Sequence, residues 1–162
     1  MSGTLILGYG STLRGDDAVG LHAARELKHQ FRDDPEVEVI SCHQLTVELA
    51  DDISGSDLVI FLDASCEGEA GSVRCEPISL ESGTGGFTHQ LDPASLVAAA
   101  EQLYGEAPQA YRVTLTGWPF ELGSKLSSGA QLRLPELVRR TRELVASHRK
   151  QFSSAAATSR VR

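Results

Sequence analysis

Leu5-Ile6-Leu7-Gly8-Tyr9-Gly10-Ser11-Thr12-Leu13-Arg14-Gly15-Asp16-Asp17-Ala18-Val19-Gly20 is a run of apolar residues, then a glycine-rich turn, then the opening of a helix that carries two consecutive aspartates. A continuous apolar run bounded by glycine reads as a strand buried on both faces, as in a parallel sheet. A glycine-rich turn feeding a helix normally accepts phosphate, because free N–H groups and the positive end of the helix dipole attract an anion. Here Asp16 and Asp17 already occupy that end. The pair would repel a pyrophosphate, whereas it would draw in a metal cation or cap the helix, the capping being worth about 1 kcal/mol. Spacing agrees: the third glycine of a dinucleotide fingerprint would fall where Leu13 stands, and no Lys-Ser/Thr follows Gly15 as a P-loop requires.

Downstream, Val19, Ala23, Leu27 and Phe31 recur at helical spacing, and Asp33-Asp34-Pro35 ends the helix. Val37, Val39 and Ile40 mark a second strand, with a short helix expected near Thr46 to Asp52. Leu58-Val59-Ile60-Phe61-Leu62 is too short and too apolar for anything but a central strand, and Asp63 closes it. Ser72 to Ile78 reads as an edge strand because it contains Arg74, Glu76 and Pro77. Ser82-Gly83-Thr84-Gly85-Gly86 forms a loop that delivers His89. A helix then opens with Asp92 as N-cap, Pro93 in the first position and Leu91 stapled onto Leu96. Tyr111 to Thr116 is the last strand, and a closing helix carries Leu137, Thr141, Leu144, Val145 and His148, with Pro135 expected near its start. This alternation predicts a three-layer α/β/α fold with a mostly parallel, twisted sheet of about five strands. Residues 1–152 form one domain on this reading, and 153–162 a disordered Ser/Ala/Arg-rich tail.

A chain of 162 residues can bury a core without disulfides or a structural metal. The net charge of −7, with no basic stripe interleaved with aromatics, argues against nucleic acid as a partner. No apolar run approaches a membrane span and no signal-peptide pattern opens the chain, so a cytoplasmic protein is expected. Cys42, Cys66 and Cys75 form no C-x-x-C pair and no even set, which disfavours a disulfide framework or zinc ribbon.

Asp17 follows the first strand, Asp63 ends the third, and His89 precedes a helix. In a doubly wound sheet all three can meet above the carboxyl edge of the strands, where such sheets place their ligands. Each also has an ordinary reading: a first-turn helix acid, a loop-capping aspartate and a solvated loop histidine. Together, two carboxylates and an imidazole suit a divalent transition metal and leave a position open for substrate or water. The aspartates ionise near ~4, and the histidine must be neutral to ligate, so affinity should fall in mild acid.

The run Gly8 to Gly20, Asp63 in Phe61-Leu62-Asp63-Ala64, His89 in Thr88-His89-Gln90-Leu91, and Gly-x-x-x-Glu-x-Gly from Gly117 to Gly123 resemble the hydrogenase maturation proteases. The resemblance covers roughly residues 3 to 150 in preserved element order. It implies an endopeptidase that removes the C-terminal extension of a [NiFe]-hydrogenase large-subunit precursor after nickel insertion. The family's metal-binding positions fall on Asp17, Asp63 and His89. The metal it implies is nickel supplied by the precursor, for which another divalent ion can substitute. Asp16 is a candidate general base beside its capping role. Two departures stand out: Ser11 replaces a common asparagine, and Ser41-Cys42-His43-Gln44-Leu45-Thr46-Val47-Glu48-Leu49 replaces a common Asp-Gly-Gly-Thr segment. The second variant resembles the branch serving cytoplasmic, NAD-linked bidirectional hydrogenases, and the segment is read as a substrate-selecting loop.

A competing class is the Mg²⁺-dependent phospho-acceptor receiver domain, which also has an acidic pair after its first strand and an aspartate ending its third. Against it, the pair here lies several residues beyond the strand and no strand-ending lysine appears at Thr116-Gly117-Trp118-Pro119.

Overall fold

The computed structural model describes residues 3–80, 91–118 and 125–159. Its elements are β1 (Thr4–Tyr9), a 3-10 turn (Gly15–Ala18), α1 (Val19–Gln30), β2 (Val37–Cys42), α2 (Leu49–Ser54), β3 (Leu58–Ser65), β4 (Val73–Pro77), α3 (Pro93–Tyr104), β5 (Gln109–Thr116) and α4 (Ser128–Ser159). The five strands form one sheet in the order β2-β1-β3-β5-β4. All neighbours are parallel except β4, which runs antiparallel to β5 at the edge, as its proline and charges foreshadow.

Central position explains the apolar runs. Leu5, Ile6 and Leu7 of β1 and Leu58 to Leu62 of β3 are each 1% exposed or less, because helices cover both faces of the sheet. Ile6, Ile60, Leu62, Val113 and Leu115 pack with α1 and α4 on one face. Leu5, Leu7, Val59, Phe61 and Ala110 pack with α2 and α3 on the other. The period-two alternation of a strand sorts the two sets, and the outcome is the three-layer α/β/α architecture.

Two glycines of the opening motif let α1 lie directly on the strands. A methyl group at Gly8 would run into the Gly20 carbonyl oxygen and the Ala24 side chain, and one at Gly20 would meet the carbonyl oxygens of Leu62 and Tyr9. This backbone-on-backbone approach draws the 3-10 turn, with Asp16 and Asp17, down onto the carboxyl ends of β1 and β3. α3 starts as its sequence dictates: the Ser95 amide donates to Asp92 Oδ1 (2.7 Å), and Pro93 occupies the first turn.

The closing helix differs from the sequence reading. It begins at Ser128, so Pro135 lies inside it rather than near its start. The reason is a cap: the Ala130 amide donates to Ser127 Oγ (3.1 Å), and Ser127 is itself fixed by a long-range contact described below. The cost of one missing N–H in the helix is accepted because the first turn is anchored from outside. α4 also continues to Ser159, past the point where the apolar period ends, through Ala155, Ala156 and Ala157, the strongest helix formers.

Candidate active site

Asp16 is the most buried acidic side chain of the opening motif, at 3% exposure. It does not cap its own turn, which has no side-chain cap. Its Oδ2 accepts from the Trp118 amide (2.9 Å) and the Ser127 hydroxyl (2.7 Å), and its Oδ1 from the Ser127 amide (2.7 Å). The carboxylate thus clamps the exit of β5 and the start of α4 onto the turn after β1. Trp118 lies against Gly129, where any side chain would strike the indole ring. The N-cap reading of Asp16 is therefore corrected. With both oxygens engaged and the group out of solvent, its hydrogen bonds tie the exit of β5 and the start of α4 to the opening turn.

Asp17 points the other way. Its Oδ2 accepts from the Ser11 amide (2.7 Å), which closes the glycine-rich turn, and its side chain is half-buried at the rim of the sheet. The turn is tight: Gly10 has φ +148° and lies against the Asp17 carbonyl. Ser11 thus serves this turn through its backbone N–H, a contact independent of its side chain.

Asp63 sits at the carboxyl end of β3 and is 16% exposed. Its Oδ1 accepts from the Ala64 amide (2.8 Å). Its Oδ2 accepts from the Tyr9 hydroxyl (2.8 Å) and from an Arg112 guanidinium N–H (3.2 Å). Burial pushes the Asp63 carboxyl up from the ordinary carboxylate range, against the opposing pull of Tyr9, Arg112 and the Ala64 amide. The same burial, with Asp63 alongside, pushes the Tyr9 hydroxyl far above its ordinary value, so Tyr9 remains a proton donor to Asp63.

Tyr9 and Arg112, which hold Asp63, are residues that the sequence reading did not single out. The one charged residue of an otherwise uncharged strand was the available signal for Arg112. Tyr9 carried one as well, being the last residue of the first strand on the same alternation as Leu5 and Leu7.

Asp17 and Asp63 are therefore both at the carboxyl rim, one from the turn feeding α1 and one from β3. His89 lies outside the described residues, as does Glu121 of the Gly117 to Gly123 segment. Among the described residues no group of three His, Cys, Asp or Glu side chains could hold a metal ion. The described part supplies two oxygen donors, and one of them already neutralises a cation, the Arg112 guanidinium. That donor chemistry fits a positive charge at Asp63. The remaining loop at this rim, after β2, is anchored by buried Leu45 and exposes Val47.

These features define a three-layer α/β/α protein with a paired-acid turn after β1 and a carboxylate ending β3. The same fold is found in solved maturation proteases. The chain is 21% identical to the hydrogenase maturating endopeptidase HybD from E. coli, with a TM-score of 0.73 over 92% of this chain and 93% of that one. It is 24% identical to the [NiFe] hydrogenase maturation protease HycI from Thermococcus kodakarensis, with a TM-score of 0.73 over 90% of this chain and 93% of that one. The HybD protease of the same archaeon gives 19% identity and a TM-score of 0.69 over 88% and 98%. At these identities the likeness is one of fold. No protein-family model and no curated protein sequence matches the chain.

Proposed function

We propose that this protein is a maturation endopeptidase that removes the C-terminal extension of a [NiFe]-hydrogenase large-subunit precursor. The observation that carries the reading is the pair Asp17 and Asp63 at the carboxyl rim of a fold shared with solved maturation proteases. On this reading the nickel already inserted in the precursor docks against Asp17, Asp63 and His89 and fixes the scissile bond nearby. Nickel supplies Lewis acidity to the carbonyl or the attacking water. Asp17 holds the turn closed through Ser11, and Asp63 is aimed by Tyr9 and Ala64. The His43-Gln44-Leu45-Thr46 loop, exposed at Val47 beside the rim, selects the precursor, and a cytoplasmic NAD-linked bidirectional hydrogenase is the proposed source.

The receiver-like alternative has a different sheet. A flavodoxin-like receiver is parallel in the order 2-1-3-4-5, whereas here β5 takes the inner position and β4 closes the edge antiparallel.

The test is cleavage of a hydrogenase large-subunit precursor, followed by mass spectrometry of the released C-terminal peptide. His89→Ala should abolish processing with an unchanged circular dichroism spectrum. Processing at the wild-type rate by that variant would reject the site.

A further inference from the structure

The Asp63–Arg112 ion pair is built in a way that favours release. Only one terminal guanidinium nitrogen reaches Asp63, at 3.2 Å, so the fork of two parallel bonds that makes Arg–carboxylate pairs strong is not formed. Among the described residues the Arg112 Nε is buried and has no partner, a cost that a purely structural pair would avoid. Arg112 is also 40% exposed, which leaves its head a way out. On the edge strand, Glu76 stands directly opposite Arg112 in the β4/β5 register, with its side chain in solvent. Directly opposed residues of an antiparallel pair have side chains within reach of one another. Among the described residues Arg112 thus has two carboxylates to choose between, Asp63 at the rim and Glu76 across the strand.

We propose that Arg112 is a displaceable counter-ion that guards Asp63. It occupies the carboxylate until a divalent cation replaces it, and then moves to Glu76. This rests on the reading of Asp63 as a cation-binding residue. Functionally, the guard makes the isolated protein a poor ligand for free divalent ions, since any such ion must expel a guanidinium from Asp63 and leave its own water. A cation presented within a docked protein brings further contacts that offset that expulsion. The site then responds to the loaded substrate and not to the metal pool. Arg112 is in this sense a specificity-determining residue that acts through Asp63.

The experiment is calorimetric titration of the full chain with Ni²⁺ alone at neutral pH, for wild type, Arg112→Gln, Arg112→Lys, Glu76→Gln and the double variants Arg112→Gln/Asp63→Asn and Arg112→Gln/Glu76→Gln. Arg112→Gln should bind Ni²⁺ at least tenfold more tightly than wild type. The gain should disappear in Arg112→Gln/Asp63→Asn, which separates binding at Asp63 from binding at surface histidines. Arg112→Lys, which keeps the charge, should restore weak binding. Glu76→Gln should weaken binding severalfold in the wild-type background and do nothing when Arg112 is already replaced, the non-additivity expected of a shared element.

A Ni²⁺ affinity for Arg112→Gln within twofold of wild type, or a gain that survives loss of Asp63, overturns the proposal. Failure of the peptidase reading shows separately: a wild-type protein that cleaves no precursor, with the Ni²⁺ pattern intact, removes the proposed function and leaves the guard standing.

Discussion

Replacing Asp16 by alanine should unfold the junction between the opening turn and α4 before it affects any chemistry. The carboxylate is 3% exposed and accepts from two backbone amides and one hydroxyl, at 2.7–2.9 Å. Each buried donor left without an acceptor costs about 1–3 kcal/mol, and bonds to a charged group lie at the upper end. Water can reach half-exposed Trp118 and Ser127 and recover part of this, so a net loss of about 3–5 kcal/mol is expected. For a domain of this size each kcal/mol lowers the melting temperature by about 2–4 °C, which gives a fall of roughly 6–20 °C. Asp16→Asn keeps the shape but turns an NH₂ group towards donors, and should lose about 2–3 kcal/mol. Ser127→Ala should lose about 1–2 kcal/mol, since Ser127 also caps α4. Urea and thermal denaturation followed by circular dichroism measure all three. An Asp16→Ala protein that melts within 2 °C of wild type yet no longer cleaves precursor would refute the structural assignment and return Asp16 to the catalytic group.

Three further outcomes follow from the same geometry. Gly8→Ala, which sets a methyl against the Gly20 carbonyl and the Ala24 side chain, should destabilise by about 1–3 kcal/mol in denaturant titration, and a neutral result would mean that α1 does not lie on β1 as described. Asp92→Ala removes the cap that receives the Ser95 amide and should cost about 1 kcal/mol, measured the same way; no loss would dismiss the cap. Because burial raises the Asp63 carboxyl, the folded state disfavours its ionised form, a cost that is full above the raised value and gone below the unfolded value near ~3.9. Asp63→Asn loses an acceptor for Tyr9 and Arg112 at every pH, so its deficit against wild type should be largest below that value and shrink as the pH rises and wild type bears the cost of ionising Asp63; a deficit that grows with pH would contradict this.

What the sequence made legible was local. The apolar runs of β1 and β3 announce burial on both faces, and Asp92-Pro93 with Leu91 and Leu96 announces α3, because each signal and its consequence lie within a few residues. The edge placement of β4 was legible for the same reason, through Arg74, Glu76 and Pro77. What was hidden depended on partners far along the chain. Asp16 looks like a helix-capping acid because its real partners, Trp118 and Ser127, stand 102 and 111 residues away. The start of α4 was misplaced for a related reason: Pro135 is a strong local signal, but Ser127, fixed by Asp16, outweighs it. At the rim, Asp63 was legible as a carboxylate ending a central strand. Its engagement by Tyr9 and Arg112 appears only when β1, β3 and β5 lie side by side. Val47 and Leu45 show the same division, since the loop after β2 could be read as a departure from the family pattern but its buried anchor could not.

The central claim is that a cation carried by the substrate is read at the sheet rim by Asp17, Asp63 and His89. The most direct measurement incubates the protein with the large-subunit precursor in nickel-loaded and nickel-free forms and follows the C-terminal peptide. The account predicts release from the loaded form alone, lost on replacing His89 or Asp63. Equal cleavage of both forms, or cleavage of neither, would contradict it.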